Sequence, residues 1–224
     1  MEVAHLPGGL TAEEIRGLVG DSPTMLEIGC NDGYDTRLFL DAMPGICLFC
    51  FEPDPRPATR WIRDIRDHRA ILFTVAVGRE RGLTKFHLSG GSFESTANPT
   101  GDWDKSSSIH RPTGHLTRDP RIDFSRTIHV PVMPLDEWTW ETLGRFGPWP
   151  RFDFLWADVQ GAEADLIVGG PKTLERTRYL YTEFYDVEQY EGQPDLAKIR
   201  RLLPDWKLLA IYEGYNALFE NTRW

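Results

Sequence analysis

Five short, nearly continuous apolar runs, at 24–28, 46–51, 71–77, 152–157 and 179–184, limit the folds open to this chain more than any other feature. Runs of that length without strict polar alternation need cover on both faces, which is the situation of strands in a parallel sheet. Between them the period changes. Tyr34, Leu38 and Phe39 make a helical stripe after the first run. After the second, Asp54 stands as N-cap and Pro55 as first helical residue, with Ala58, Trp61, Ile62 and Ile65 on one face. Gly78 closes the third run, and further helices are expected at 135–143, at 162–168 before Gly169-Gly170-Pro171, and through Leu196, Ile199, Leu202 and Leu203 up to Pro204. The stretches 206–212 and 216–220 read as an antiparallel pair closing around Glu213-Gly214. Alternation of β and α along the chain predicts a doubly wound, mostly parallel α/β sheet with that antiparallel pair at its C-terminal end. One domain over 1–224 is expected, residues 1–22 forming an N-terminal extension.

The 224 residues are 41% hydrophobic, enough for one buried core, and no stretch reaches the roughly 20 apolar residues of a membrane span. The N-terminus lacks a basic start followed by an apolar stretch, and three Cys do not make a disulfide framework, so a cytoplasmic protein is expected. Cys47 and Cys50 lie in an apolar strand and read as core. With 34 acidic and 25 basic side chains the net charge is −9, a field that repels polyanions, so no nucleic-acid partner is expected. Arg60, Arg63, Arg66 and Arg69 are interleaved with Asp64 and Asp67 and read as a solvated helix face. From 89 to 125, between expected strands at 85–88 and 128–133, the composition turns to Gly, Ser, Thr, Asn, Pro and Asp. Such an insertion is either a substrate-side lid or a mobile surface loop.

Ligands of open α/β sheets lie beyond the carboxyl ends of the strands. At the first such end stands Glu27-Ile28-Gly29-Cys30-Asn31-Asp32-Gly33, in which Gly29 and Gly33 allow a tight turn and close backbone approach. Asn31 occupies the place of the second glycine of a dinucleotide fingerprint, so a pyrophosphate is not expected. About 20 residues on, Glu52 ends the second run in Phe51-Glu52-Pro53, where a carboxylate can accept both hydrogen bonds of a ribose diol. A glycine loop, that acid and no phosphate cradle together point to S-adenosyl-L-methionine.

Several blocks in order, Glu27 to Thr36, Phe51-Glu52-Pro53-Asp54-Pro55, Ala76-Val77-Gly78, Leu135-Asp136-Glu137-Trp138 and Asp153 to Glu163, resemble those of the FkbM family. The resemblance implies a class I, Rossmann-like, S-adenosylmethionine-dependent methyltransferase acting on a hydroxyl of a sugar or secondary metabolite. It further implies that Glu27, Gly29, Asn31, Asp32 and Gly33 form the cofactor loop, Glu52 and Pro53 the ribose side, and Ala76 and Val77 a side of the adenine pocket. One block departs from the family's Lys-Ile-Asp-Val-Glu-Gly-Ala-Glu: Trp156 and Gln160 replace the Lys and the middle Glu. Gln160 cannot take up a proton.

An alcohol acceptor must lose a proton, so carboxylates and imidazoles at strand ends and in the insertion are the candidates for its base. Asp158 reads as a catalytic or substrate-orienting carboxylate, with a helix cap as the alternative. His110, His115 and Glu183 are further candidates, and Tyr185 and Tyr190 read as rim aromatics that stack on a sugar or pack their loop. The residues choosing the acceptor are expected at 89–125 and 185–194. No metal site is predicted, a divalent ion beside Asp158 being the alternative reading. A nicotinamide-dependent sugar oxidoreductase or epimerase and a non-catalytic cofactor-binding module remain as alternatives.

Overall fold

The computed structural model describes residues 3–6, 8–91 and 102–224. In chain order the elements are β1 (Ala4–Leu6), α1 (Ala12–Val19), β2 (Thr24–Ile28), α2 (Tyr34–Ala42), β3 (Cys47–Phe51), α3 (Pro55–Asp64), β4 (Ala70–Phe73), β5 (Ala76–Val77) and β6 (Gly82–Gly90). There follow α4 (His115–Arg118), β7 (Asp123–Met133), α5 (Leu135–Thr142), β8 (Phe152–Ala157), α6 (Glu163–Gly169), α7 (Pro171–Glu175), β9 (Thr177–Glu183), α8 (Leu196–Leu202), β10 (Trp206–Tyr212) and β11 (Asn216–Asn221). The main sheet has eight strands in the order β1-β10-β11-β9-β8-β2-β3-β4. β9, β8, β2, β3 and β4 run parallel, and β11 is antiparallel to both its neighbours. This is the mostly parallel doubly wound sheet with an antiparallel C-terminal pair that the apolar runs imply.

Side-chain alternation along the strands divides the core. Met25 and Cys50 pack with Ile15, Phe39 and Trp61 of α1, α2 and α3 on one face. Leu26, Ile28 and Leu155 pack with Trp138, Leu166 and Ile199 of α5, α6 and α8 on the other. No helix among the described residues is long and apolar enough to cross a membrane.

Several expectations need correction. The run at 71–77 is not one strand: β4 forms the edge of the main sheet, and β5 pairs with β7 in a separate three-stranded sheet, β5-β7-β6. Ile62 is exposed on α3 while Ala58, Trp61 and Ile65 are buried, because the apolar stripe centres on those three and leaves position 62 at its margin. α3 ends at Asp64, so the arginine series does not share a helix face. Arg69 instead donates to the carbonyls of Leu40, Met43 and Pro44, each at 3.0 Å, and so satisfies the end of α2. Cys47, at the start of β3, is exposed, whereas Cys50 is buried. The N-terminal extension is part of the fold: β1 joins β10, and α1, closed by a Thr11–Glu14 capping box, buries Ala12 and Ile15.

The segment at 89–125 is shorter as an insertion than its composition suggests, since β6 continues to Gly90 and β7 starts at Asp123. Residues 92–101 lie outside those described. The remainder is tied down by a bridge from Ser108 to His87 and another from Pro112 to Tyr190.

Candidate active site

β2 and β8 are neighbours, yet the chain leaves β2 towards β3 and leaves β8 towards β9, so the loops after β2 and β8 open a crevice at the switch in strand order. The two loops touch. Asp158 N donates to Ile28 O at 2.9 Å, and a Cβ on Gly29, at φ +89°, would lie 1.8 Å from the carbonyl oxygen of Asp158. Only glycine fits there. At Gly33, φ +82°, a Cβ would meet Trp61 Cδ1 at 2.7 Å, so this glycine serves the packing of α2 against α3.

The crevice holds a narrow slot of about 160 Å³ and, beside it, a wide cleft of about 880 Å³, which share Tyr34, Asp35 and Asp158 as common walls. Gly29, Asn31, Asp32, Glu52, Pro53, Ala76, Val77 and Asp158, which sequence reasoning singles out, all line the slot. Two residues of the proposed cofactor loop do not. Glu27 belongs to the opposite strand face, where its Oε2 accepts from Thr36 Oγ1 at 2.6 Å and Cys50 Sγ at 3.3 Å. Gly33 lies behind the loop, against Trp61.

Glu52 is the slot's anchor. Its Oε2 accepts from Asn31 N at 3.0 Å and its Oε1 from Asp54 N at 2.7 Å, which fixes the carboxyl group and leaves each oxygen a second lone pair. Burial is the main cause that pushes its pKa up to about 8. Asn31 Oδ1 is buried without a partner among the described residues, an unusual state for a polar atom and one that suits a ligand donor. Pro53, Ala76, Val77, Phe86 and Ile109 give the slot an apolar side.

Asp158 stands where slot and cleft meet. Gln160 Nε2 donates to Asp158 Oδ1 at 2.5 Å and reaches Glu183 Oε2 at 3.3 Å. Tyr190 Oη contacts Gln160 Oε1 at 2.9 Å and Ser106 O at 2.8 Å, which turns the amide nitrogen of Gln160 towards the two carboxyls. Gln160 sits at φ +50°, a strained position for a residue with a Cβ. Burial pushes Asp158 up to about 6, and burial followed by the charges of Asp158 and Glu163 holds Glu183 well above the usual carboxylate range. Asp158 is therefore the member of the pair that ionises first. It does not cap α6, whose N-cap is Ala162 without a side-chain bond.

Glu183 lines the wide cleft and not the slot. His110 lines neither: it pairs with Asp165 at 2.9 Å, and that contact raises its pKa. His115 packs edge-on against Phe124 and Tyr190. Tyr190 is 1% exposed and is part of the floor, not the rim. Tyr185 stacks on Tyr215, and Arg118 lies over its ring.

The wide cleft is walled by the start of α1, by α2, by β8 and β9 and by the β10–β11 turn, through Leu10, Tyr34, Trp156, Tyr181 and Tyr215, and by none of the described residues of 89–125 and 185–194. Sequence reasoning missed these residues, and missed Gln160 as a bridge and Lys105 as a slot residue. Strand parity carries a usable signal for Glu27, since it must face away from Ile28; no local pattern marks the others.

The architecture belongs to a recognised group of folds. A crystal structure of Methyltransferase FkbM from Methylobacillus flagellatus KT matches with a TM-score of 0.52 at 12% identity, over 89% of this chain and 44% of that one. A putative rRNA-methylase from Clostridium thermocellum matches with a TM-score of 0.50 at 10% identity, over 93% and 92%. This chain thus spans under half the length of the Methylobacillus protein, and at these identities both likenesses speak for the fold alone. Sequence carries the matter further. The Methyltransferase FkbM domain model matches residues 27–210, and 2-O-methyltransferase NoeI of Sinorhizobium fredii (strain NBRC 101917 / NGR234) is 42% identical over 206 residues, 90% of this chain and 80% of NoeI. The chain belongs to the FkbM methyltransferase family.

Proposed function

We propose that the protein is an S-adenosylmethionine-dependent O-methyltransferase whose acceptor is a hydroxyl of a sugar or related secondary metabolite. The observation that carries this reading is a slot anchored on Glu52 that shares Tyr34, Asp35 and Asp158 as walls with a wide cleft lined by aromatic rings and carboxyl groups. The donor set suits an adenosyl group without phosphates: one fixed carboxyl for a ribose diol, an apolar side for a base, and an unpartnered acceptor on Asn31. When bound, the cofactor supplies an electrophilic methyl carbon. The protein's task is then to align an acceptor oxygen with that carbon and to exclude water.

Asp158 Oδ1 is held by Gln160, and its Oδ2, which has no hydrogen bond among the described residues, receives the acceptor's proton. Glu183, kept protonated beside it, donates a hydrogen bond to an acceptor oxygen or to Asp158. Trp156, Tyr181 and Tyr215 bring aromatic rings to the wide cleft, against which a sugar ring packs. The likeness to a 2-O-methyltransferase favours transfer to a 2-hydroxyl. Three free thiols are in keeping with a cytoplasmic setting.

At a concentration 100 times Kd, S-adenosylhomocysteine is expected to stabilise the protein by about 2.7 kcal/mol, read as a rise in Tm. With S-adenosylmethionine and a set of glycosides, the expected product carries one added methyl group, detected by mass. A thermal shift without any methylated product would favour the non-catalytic binding module, and protection by NAD in place of S-adenosylhomocysteine would favour the oxidoreductase.

A further inference from the structure

We infer that Lys105 anchors the α-carboxylate at the amino-acid end of the cofactor. The inference rests on the proposed adenosyl ligand and assigns a residue outside the glycine loop to it.

Lys105 is the sole cationic side chain among the described residues that line the slot; the other ionisable ones, such as Asp32, Asp35, Glu52, Asp104 and Asp158, are acids or weaker acids. Its ammonium makes no hydrogen bond or ion pair of its own with a described residue, yet it stands close enough to Asp35 and Asp158 to steady both carboxylates. Lys105 thus groups with Asp35 and Asp158 in one charged part of the slot lining.

A ligand whose ribose meets Glu52 and whose sulfur lies near Asp158 sends its amino-acid group towards this part of the slot. There Asp35 suits an ammonium, while Asp35 and Asp158 together repel a carboxylate, and a zwitterion needs a positive partner as well. Lys105 is held where it can supply one. The adjacent Asp104 pairs with Arg60 at 2.5 Å, and its carbonyl accepts from Asn31 Nδ2 at 3.2 Å. Ser107 Oγ donates to Asp54 Oδ2 at 3.1 Å. The chain on both sides of Lys105 is thus tied to the loop after β2 and to the start of α3.

The test compares two ligands on one variant. Calorimetric Kd values are measured for S-adenosylhomocysteine and for 5′-methylthioadenosine, which keeps the nucleoside and thioether but lacks the amino-acid group. For Lys105→Met the expected result is a roughly tenfold or greater weakening for S-adenosylhomocysteine, with 5′-methylthioadenosine changed by less than about twofold, and substantial recovery in Lys105→Arg. Equal weakening for both ligands, or no weakening for either, overturns the assignment. If the wild-type protein binds neither ligand, the adenosyl reading itself fails, and the assignment fails with it. Lys105 is exposed, so a melting temperature near that of wild type is expected for the variant and separates lost binding from lost folding.

Discussion

Asp158→Asn is expected to lower kcat by about 100- to 1000-fold, within the range typical of a lost general base, while the Kd for S-adenosylhomocysteine stays within about threefold. Asparagine keeps the shape and the oxygen that accepts from Gln160 Nε2, so the floor of the crevice is preserved and only proton uptake is removed. The pH profile adds an independent check. Burial lifts Asp158 to about 6, so the base is protonated below that pH and ionised above it. In the wild-type protein kcat should rise with pH through about 6 and then level off, and in Asp158→Asn this rising limb should vanish. Glu183 titrates higher because it is buried and faces the charge of its neighbour, which delays the loss of its proton beyond the working range of Asp158. A variant that keeps wild-type kcat would remove Asp158 from the chemistry and leave it a structural acid.

Glu52→Gln is expected to weaken S-adenosylhomocysteine by roughly 30- to 100-fold, because two hydrogen bonds from ribose hydroxyls to a carboxylate become weaker bonds to a neutral amide. The amide retains one acceptor for Asn31 N or Asp54 N, so the variant should fold. The sign of the pH effect follows from the raised pKa of about 8. At pH 7 the empty slot holds Glu52 mostly protonated, whereas ribose hydroxyls donate to and favour the ionised form, so binding expels a proton. Affinity should therefore increase from pH 6 to about pH 8 and level off above, and the glutamine variant should lose this slope. The same raised pKa means that the empty protein gains stability from the neutral acid below the ordinary pKa of 4.5, and loses it as pH climbs towards 8. Ligand rescue of stability should then be greatest on the alkaline side. An unchanged Kd in Glu52→Gln would deny this residue its role.

What was readable in the chain follows the range of the forces involved. The strands of the parallel core and the loop after β2 rest on local rules: apolar run length, Pro55 after an N-cap, and glycines where φ is positive. Glu52 and Asp158 are legible because a residue at a strand's carboxyl end has its place set by the sheet. Glu27 sits in the same motif but on the wrong strand face, a parity that the buried Leu26 and Ile28 already imply. His110 belongs to a serine-rich stretch near the site, yet its ring is turned to Asp165 on α6, a partner 55 residues away that no local pattern discloses. The walls of the wide cleft were hidden for the same reason, since α1 and β11 lie at opposite ends of the sequence and meet only through the sheet. Gln160 illustrates a further limit: the change from Glu to Gln states that a proton acceptor is gone, but its use as a bridge between two carboxyls depends on Tyr190 lying beneath it.

The most direct measurement is a crystal structure of the protein with S-adenosylhomocysteine. The expected density has both ribose hydroxyls within hydrogen-bond distance of the Glu52 carboxyl, the base against Ala76 and Val77, and the sulfur at the mouth where Asp158 faces the wide cleft. Density for the ligand in the wide cleft alone, or with its ribose turned away from Glu52, would contradict the account.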